Sequence, residues 1–102
     1  MEINEAQEQS FRILEKINNK NNAKHEPDSI FISLVEEVGE VARELSKKQK
    51  NTKRGDFNKE ELADELSDII SRTLVIAEDN KIDMDKAFTE KLKKIKKRFN
   101  LD

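Results

Sequence analysis

The chain has 102 residues, of which 41% are charged and 34% hydrophobic, with 20 basic side chains against 22 acidic ones for a net charge of −2. That length holds one domain, or half of a shared one, with no separate cofactor-binding unit, and the balanced charge excludes a nonspecific nucleic-acid coat and the one-signed composition of a disordered chain. There is no cysteine and His25 is the single histidine, which excludes disulfides, thiolate catalysis, iron–sulfur and cysteine–zinc sites, and any site needing two imidazoles.

From the N-terminus, Ile3, Ala6, Ser10, Ile13, Leu14 and Ile17 recur at three-four spacing and predict a first helix with one buried stripe. Asn4 and Gln7 have the spacing of a capping box at its start, and the helix-poor NNKNNAK from Asn18 to Lys24 ends it. Pro27 and Asp28, the latter as N-cap, open a second helix from Ser29 to about Lys48. Gln49–Asn58 reads as a solvated loop, and Asn58 with Glu61 as a second capping box. A third helix is predicted from Lys59 to Glu78, a turn at Asp79–Lys81, and a fourth helix, capped by Asp83, through to Phe99. No stretch alternates as a strand would.

Only two Gly and one Pro, in a chain rich in Glu, Lys, Leu and Ala, point to an all-α fold, here a four-helix antiparallel bundle within a single domain spanning residues 1–102. So few apolar residues make a thin core, so the bundle is expected to be completed or extended by oligomerisation, as a homodimer or homotetramer. No run approaches the roughly 18 apolar residues of a membrane span, and MEINEAQEQS lacks an apolar signal region. A cytoplasmic protein with no membrane partner is expected.

The second and third helices carry one device twice. LVEEVGEVARE from Leu34 superposes on LADELSDIISR from Leu62 at an offset of 28 residues, with acids paired at Glu36/Asp64, Glu37/Glu65 and Glu40/Asp68. On a wheel with Leu34 at zero, the apolar residues fill an arc from about −40° to 100°, while Glu37, Glu44 and Glu40 fall near −60°, −80° and −120°. With Leu62 at zero, Glu65 and Asp68 take about the same −60° and −120° positions. If the helices pack antiparallel, their flanks converge and set four carboxylates around one volume. Repelling carboxylates at the rim of a core require neutralisation, by raised pKa values or by bound cations. With no Cys and no helical His to hand, an all-oxygen set selects a hard ion, Mg²⁺ or Mn²⁺, whose coordination is commonly completed by phosphate oxygens. A lone ExxE in so acidic a chain is usually a solvated helix face; two copies in the same phase are far less often accidental.

The fourth helix brings the opposite charge. Six of the eight residues of KLKKIKKR, Lys91 to Arg98, are basic. Lys91, Lys94 and Arg98 lie at the edge of its apolar arc, where cations would suit a polyphosphate; Lys93, Lys96 and Lys97 face away and read as solubility and dipole compensation. A nucleic-acid surface on this helix is disfavoured by the near-neutral chain and the lack of a reader motif.

Glu37-Val-Gly-Glu40 followed after 24 residues by Glu65-Leu-Ser-Asp68 resembles the ExxE…ExxD motif of the MazG-like, all-α nucleoside triphosphate pyrophosphohydrolases. LVEEVGEVARE, EELADELSDII and KIDMDKAFTEKLKKIKKRF extend the similarity over roughly Pro27 to Phe99. The resemblance implies cleavage of a nucleoside triphosphate between the α and β phosphates to a nucleoside monophosphate and pyrophosphate, in the manner of a nucleotide-pool house-cleaning enzyme. It further implies Mg²⁺ (or Mn²⁺) held by Glu37, Glu40, Glu65 and Asp68, with Glu37 and Glu40 as catalytic carboxylates and Lys91, Lys94 and Arg98 as phosphate-binding cations. His25-Glu26-Pro27 is similar to the H-x-P of dCTP-cleaving relatives, which makes His25 and Phe31 candidate base contacts, although a plain loop histidine is the commoner reading. The chain departs from the family in two respects: Ile95 stands where the family often has Asn, and no Trp is present. Ile95 is the best hint of the alternative, a catalytically silent helical oligomerisation module with the same bundle.

Overall fold

Four helices form, in the predicted order: α1 (Ile3–Lys20), α2 (Pro27–Ser46), α3 (Lys59–Asp79) and α4 (Met84–Arg98). They are seen in a computed structural model that describes residues 1–49 and 53–102. No strand occurs among the described residues, and the all-α class is as expected. The Lys50–Thr52 part of the expected loop lies outside the described residues.

The helix starts follow the sequence at two of four ends. Asn58 caps α3 by accepting from the Glu61 N–H at 3.0 Å, and Asp83 caps α4 by accepting from the Lys86 N–H at 3.1 Å. The other two expected caps are corrected. Extended Glu2 precedes α1 and Glu26 precedes α2, neither with a side-chain cap bond, so Asp28 sits in the first turn of α2 behind Pro27 rather than before it. Pro at the first helical position loses nothing, because its missing N–H would have had no intrahelical acceptor. Asn4 and Gln7 form no capping box, because Gln7 is buried and turned to the far end of α3.

Three helices stop in the same way. Asn22, Lys81 and Asn100 adopt left-handed φ values of 52°, 56° and 53° just beyond α1, α3 and α4. In each case the following N–H reaches back to a carbonyl of the last turn, as Ala23 to Asn18, Ile82 to Ala77 and Leu101 to Lys96. These are Schellman stops, which satisfy orphan carbonyls at the cost of a left-handed residue. Asn tolerates that conformation well; Lys81 does not by preference, and tertiary bonds on the neighbouring Ile82 hold the turn.

α3 is the central helix, with α2 against one side and α1 against another. The buried apolar residues Leu74, Val75 and Ala77 all belong to it. Leu74–Ala77 are four consecutive apolar residues, which at about 100° each surround most of the helix and require cover on more than one side. Gln7 pins α1 there: its amide donates to Glu78 Oε2 (3.0 Å) and the Ile82 carbonyl (2.7 Å), and its oxygen accepts from the Met84 N–H. One buried side chain thus ties α1 to the α3–α4 turn.

α4 packs chiefly on α1, and Met84 and Phe88 at its start close a hollow with Ile3, Ile69 and Leu74. Beyond that its apolar stripe is open, with Leu92 45% and Phe99 63% exposed. The chain is accordingly spread out: its radius of gyration is 16.7 Å, against about 13 Å for a compact domain of this length. The α2 stripe divides likewise. Ile30, Leu34 and Val41 are partly covered, while Phe31, Val35, Val38 and Leu45 remain exposed.

Candidate functional site

The α2–α3 hairpin sets acids of both copies of the repeat along one seam, Glu37 and Glu40 of α2 within the field of Glu65, and Glu37 and Asp68 on either side of Arg72. Glu65 sets the electrostatics there. Its Oε2 is buried without a hydrogen-bond partner. Burial raises its carboxyl above the ordinary range, and the fields of Glu44, Glu40, Glu61 and Glu37 raise it further. Fields of carboxylates from both helices therefore reach Glu65, but the four-carboxylate cluster around one volume that the wheels predict is not assembled among the described residues.

One cation from α3 stands among them. Arg72 Nη1 lies 3.3 Å from Asp68 Oδ1, its Nη2 lies 3.7 Å from Glu37 Oε1, and its Nε donates to the Ser33 hydroxyl. The guanidinium joins α2 to α3 between an acid of each ExxE/D copy. Among the described residues, no three acidic side chains are gathered closely enough to hold a metal ion in this arrangement. The chemistry of the side chains present suits a hard cation: the available donors are carboxylate oxygens, one is buried without a partner, and Glu37 and Asp68 already face a positive charge.

Glu44, placed by the wheel on the same flank as Glu37 and Glu40, has another task. It is 3% exposed, accepts from the Asn58 N–H at 2.6 Å and pairs with Lys47 at 2.7 Å. Those bonds hold its carboxyl below the usual range, the Lys47 contact contributing most, and they raise Lys47 in return. Glu44 thus supplies the N–H acceptor that the capping-box pattern assigns to Glu61, so Asn58 and Glu61 form only half of that box.

The remaining expected residues lie elsewhere. Lys91, Lys94 and Arg98 are exposed on α4, and among the described residues none of them pairs with the acids of the seam. His25 is at the opposite end of the hairpin, with Nε2 2.7 Å from both oxygens of Asp79 and its ring edge-on to Phe11. Eleven residues of α3 separate Asp79 from Asp68, about 16 Å along the axis. Phe31 is exposed on the outer stripe of α2.

Beside Asp68 and Arg72 opens a groove of about 370 Å³ between α1, α2 and α3, walled by Ile13, Ile17, Ile30 and Ser33. Sequence reasoning missed Arg72 and Ser33. The signal was available for Arg72, which lies four residues after Asp68 on the same face and opposite Glu44 in the repeat. Nothing in the sequence marked Ser33 beyond its position one turn before Glu37.

No curated protein and no solved structure matches the chain. A family model, the MazG nucleotide pyrophosphohydrolase domain, matches residues 25–100, a span that takes in both acidic motifs, the hairpin and the whole of α4. On that match, which covers most of its length, the chain belongs to the MazG nucleotide pyrophosphohydrolase family.

Proposed function

We propose that the chain hydrolyses a nucleoside triphosphate, ribo- or deoxyribo-, to the monophosphate and pyrophosphate, as a nucleotide-pool house-cleaning enzyme dependent on Mg²⁺, with Mn²⁺ as a substitute. The observation that carries the reading is the convergence of acids from both helices on Glu65, whose buried oxygen has no partner. Glu37, Glu40, Glu65 and Asp68 would hold the metal, which supplies charge neutralisation at the phosphates and a more acidic bound water. A carboxylate of the Glu37–Glu40 pair orients the attacking water. The groove beside Asp68 has the size and apolar walls to take the base, within the range of small-molecule sites. It is a better seat than His25, which is already committed to Asp79 and Phe11.

The active form is a homodimer or homotetramer working in the cytoplasm. The exposed stripe of Phe31, Val35 and Val38 and the open face of α4 support subunit association. Among the described residues no helix is long and apolar enough to cross a membrane. Association is also the route by which Lys91, Lys94 and Arg98 would come to a phosphate chain, since in one copy they lie away from the acids.

The test is pyrophosphate release over a panel of ribo-, deoxyribo- and modified nucleoside triphosphates, with Mg²⁺ and with chelator. Metal-dependent release that disappears in Glu37→Gln and Asp68→Asn is expected. A folded chain that is silent across the panel overturns the reading in favour of a helical interaction module.

A further inference from the structure

We propose that Arg72 couples cation binding to triphosphate binding at the acidic seam: in the free chain its guanidinium occupies Glu37 and Asp68, and it yields them to a divalent ion when a polyphosphate offers it a new anionic partner. This rests on the reading of the seam as a metal–triphosphate site. Arg72 has the contacts that such a phosphate-binding role requires. Its three nitrogens are all engaged, with Ser33 through Nε, Asp68 through Nη1 and Glu37 through Nη2, and Nη1 also reaches the Asp68 carbonyl at 3.3 Å. A guanidinium bound in this forked way keeps its place better than a single ammonium would.

The two occupants exclude one another. A divalent ion needs carboxylate oxygens at about 2.1 Å, and a guanidinium on the same oxygens would then lie within a few ångströms of a double positive charge. A bare cation must therefore displace Arg72. The side chain is only 28% exposed, so the displaced guanidinium loses two anions without gaining full hydration. A triphosphate changes that balance, because Arg72 also walls the groove beside Asp68 and is already at hand for a phosphate oxygen. Arg72 is the only cation paired with any of the four acids among the described residues. The cation and the nucleotide thus bind together more readily than either alone, a reciprocal coupling carried by one side chain.

The measurement is Mn²⁺ affinity, by electron paramagnetic resonance or calorimetry, with and without an α,β-methylene nucleoside triphosphate that cannot be cleaved. Wild type, Arg72→Met and Arg72→Lys are compared after thermal melts show each to be folded. Arg72→Met is expected to bind Mn²⁺ alone about tenfold more tightly than wild type and to lose most of the analogue-induced tightening, also about tenfold. Arg72→Lys keeps the charge and is expected to retain part of both effects, which covers the case in which the Met chain does not fold. Unchanged or weaker Mn²⁺ binding in the Met variant, or equal coupling in all chains, overturns the proposal. A wild type that shows the coupling but releases no pyrophosphate overturns the proposed reaction alone. A wild type that hydrolyses with coupling unaffected by either substitution overturns the role of Arg72 alone. A wild type that binds no Mn²⁺ under either condition overturns both.

Discussion

Glu44 and Arg72 occupy equivalent positions in the two copies of one helical repeat, and the fold uses them in opposite ways. Each reaches across the hairpin, Glu44 to the N-cap of α3 and Arg72 to Ser33 and Glu37 on α2. Glu44 is buried and its partners are a backbone N–H and a lysine, so its bonds are internal and complete. Arg72 is partly open, pairs with two acids of the repeated motif and borders a groove. The same position can therefore brace a fold or serve a site. What separates the two is whether the partner is a fixed part of the chain or one that another ion can replace.

That contrast can be tested at the seam itself, where the largest effect is expected. Glu65→Gln or Asp68→Asn should lower kcat for pyrophosphate release by about 10²–10³-fold while leaving the melting temperature near the wild-type value. Activity within a few-fold of wild type would move the chemistry away from the hairpin. The helical core is next. Leu74→Ala opens a cavity where α3 meets α1 and α4 and should cost about 2–4 kcal/mol in denaturant unfolding. In so thin a core that is a large share of the total stability.

Glu44→Gln should act on the fold with little effect on catalysis per folded molecule. It removes the charge that Lys47 and the Asn58 N–H stabilise, and should lower the melting temperature by several degrees at neutral pH. The pH dependence has a definite sign. The folded pKa of Glu44 is depressed, so its contribution is complete above the unfolded carboxylate pKa and is lost as pH falls through the folded one. The gap between wild type and Glu44→Gln should therefore narrow on acidification, in melts run from neutral pH downward. The smallest effect is expected from replacing Lys93, Lys96 and Lys97 with Ala, each within about 0.5 kcal/mol of neutral in stability. Loss of salt-sensitive nucleic-acid binding in that triple variant would instead revive a basic surface on α4.

Much of this architecture was legible in the chain because it rests on local rules. Three-four apolar spacing locates all four helices, Asn58 and Asp83 mark two starts correctly, and the doubled motif marks acids on the facing helices α2 and α3. The errors have a common cause. Gln7 reads as a cap residue because its spacing to Asn4 is local, but its partners are Glu78, Ile82 and Met84, more than 70 residues away. Glu44 and Glu40 look alike on a wheel. Only the path of the chain into Asn58 turns one of them into a buried bracket.

The sequence by itself determined the class, the helix order, the acidic faces and the family, because periodicity and residue type are enough to state each of them. Tertiary structure alone decided that Arg72 sits between Glu37 and Asp68, that His25 belongs to Asp79, and that α4 leaves its cations away from the acids. A helical wheel gives the direction of a side chain about its own axis. It carries no information on how far another helix stands from that axis, or on which of two equally placed charges meets a partner there.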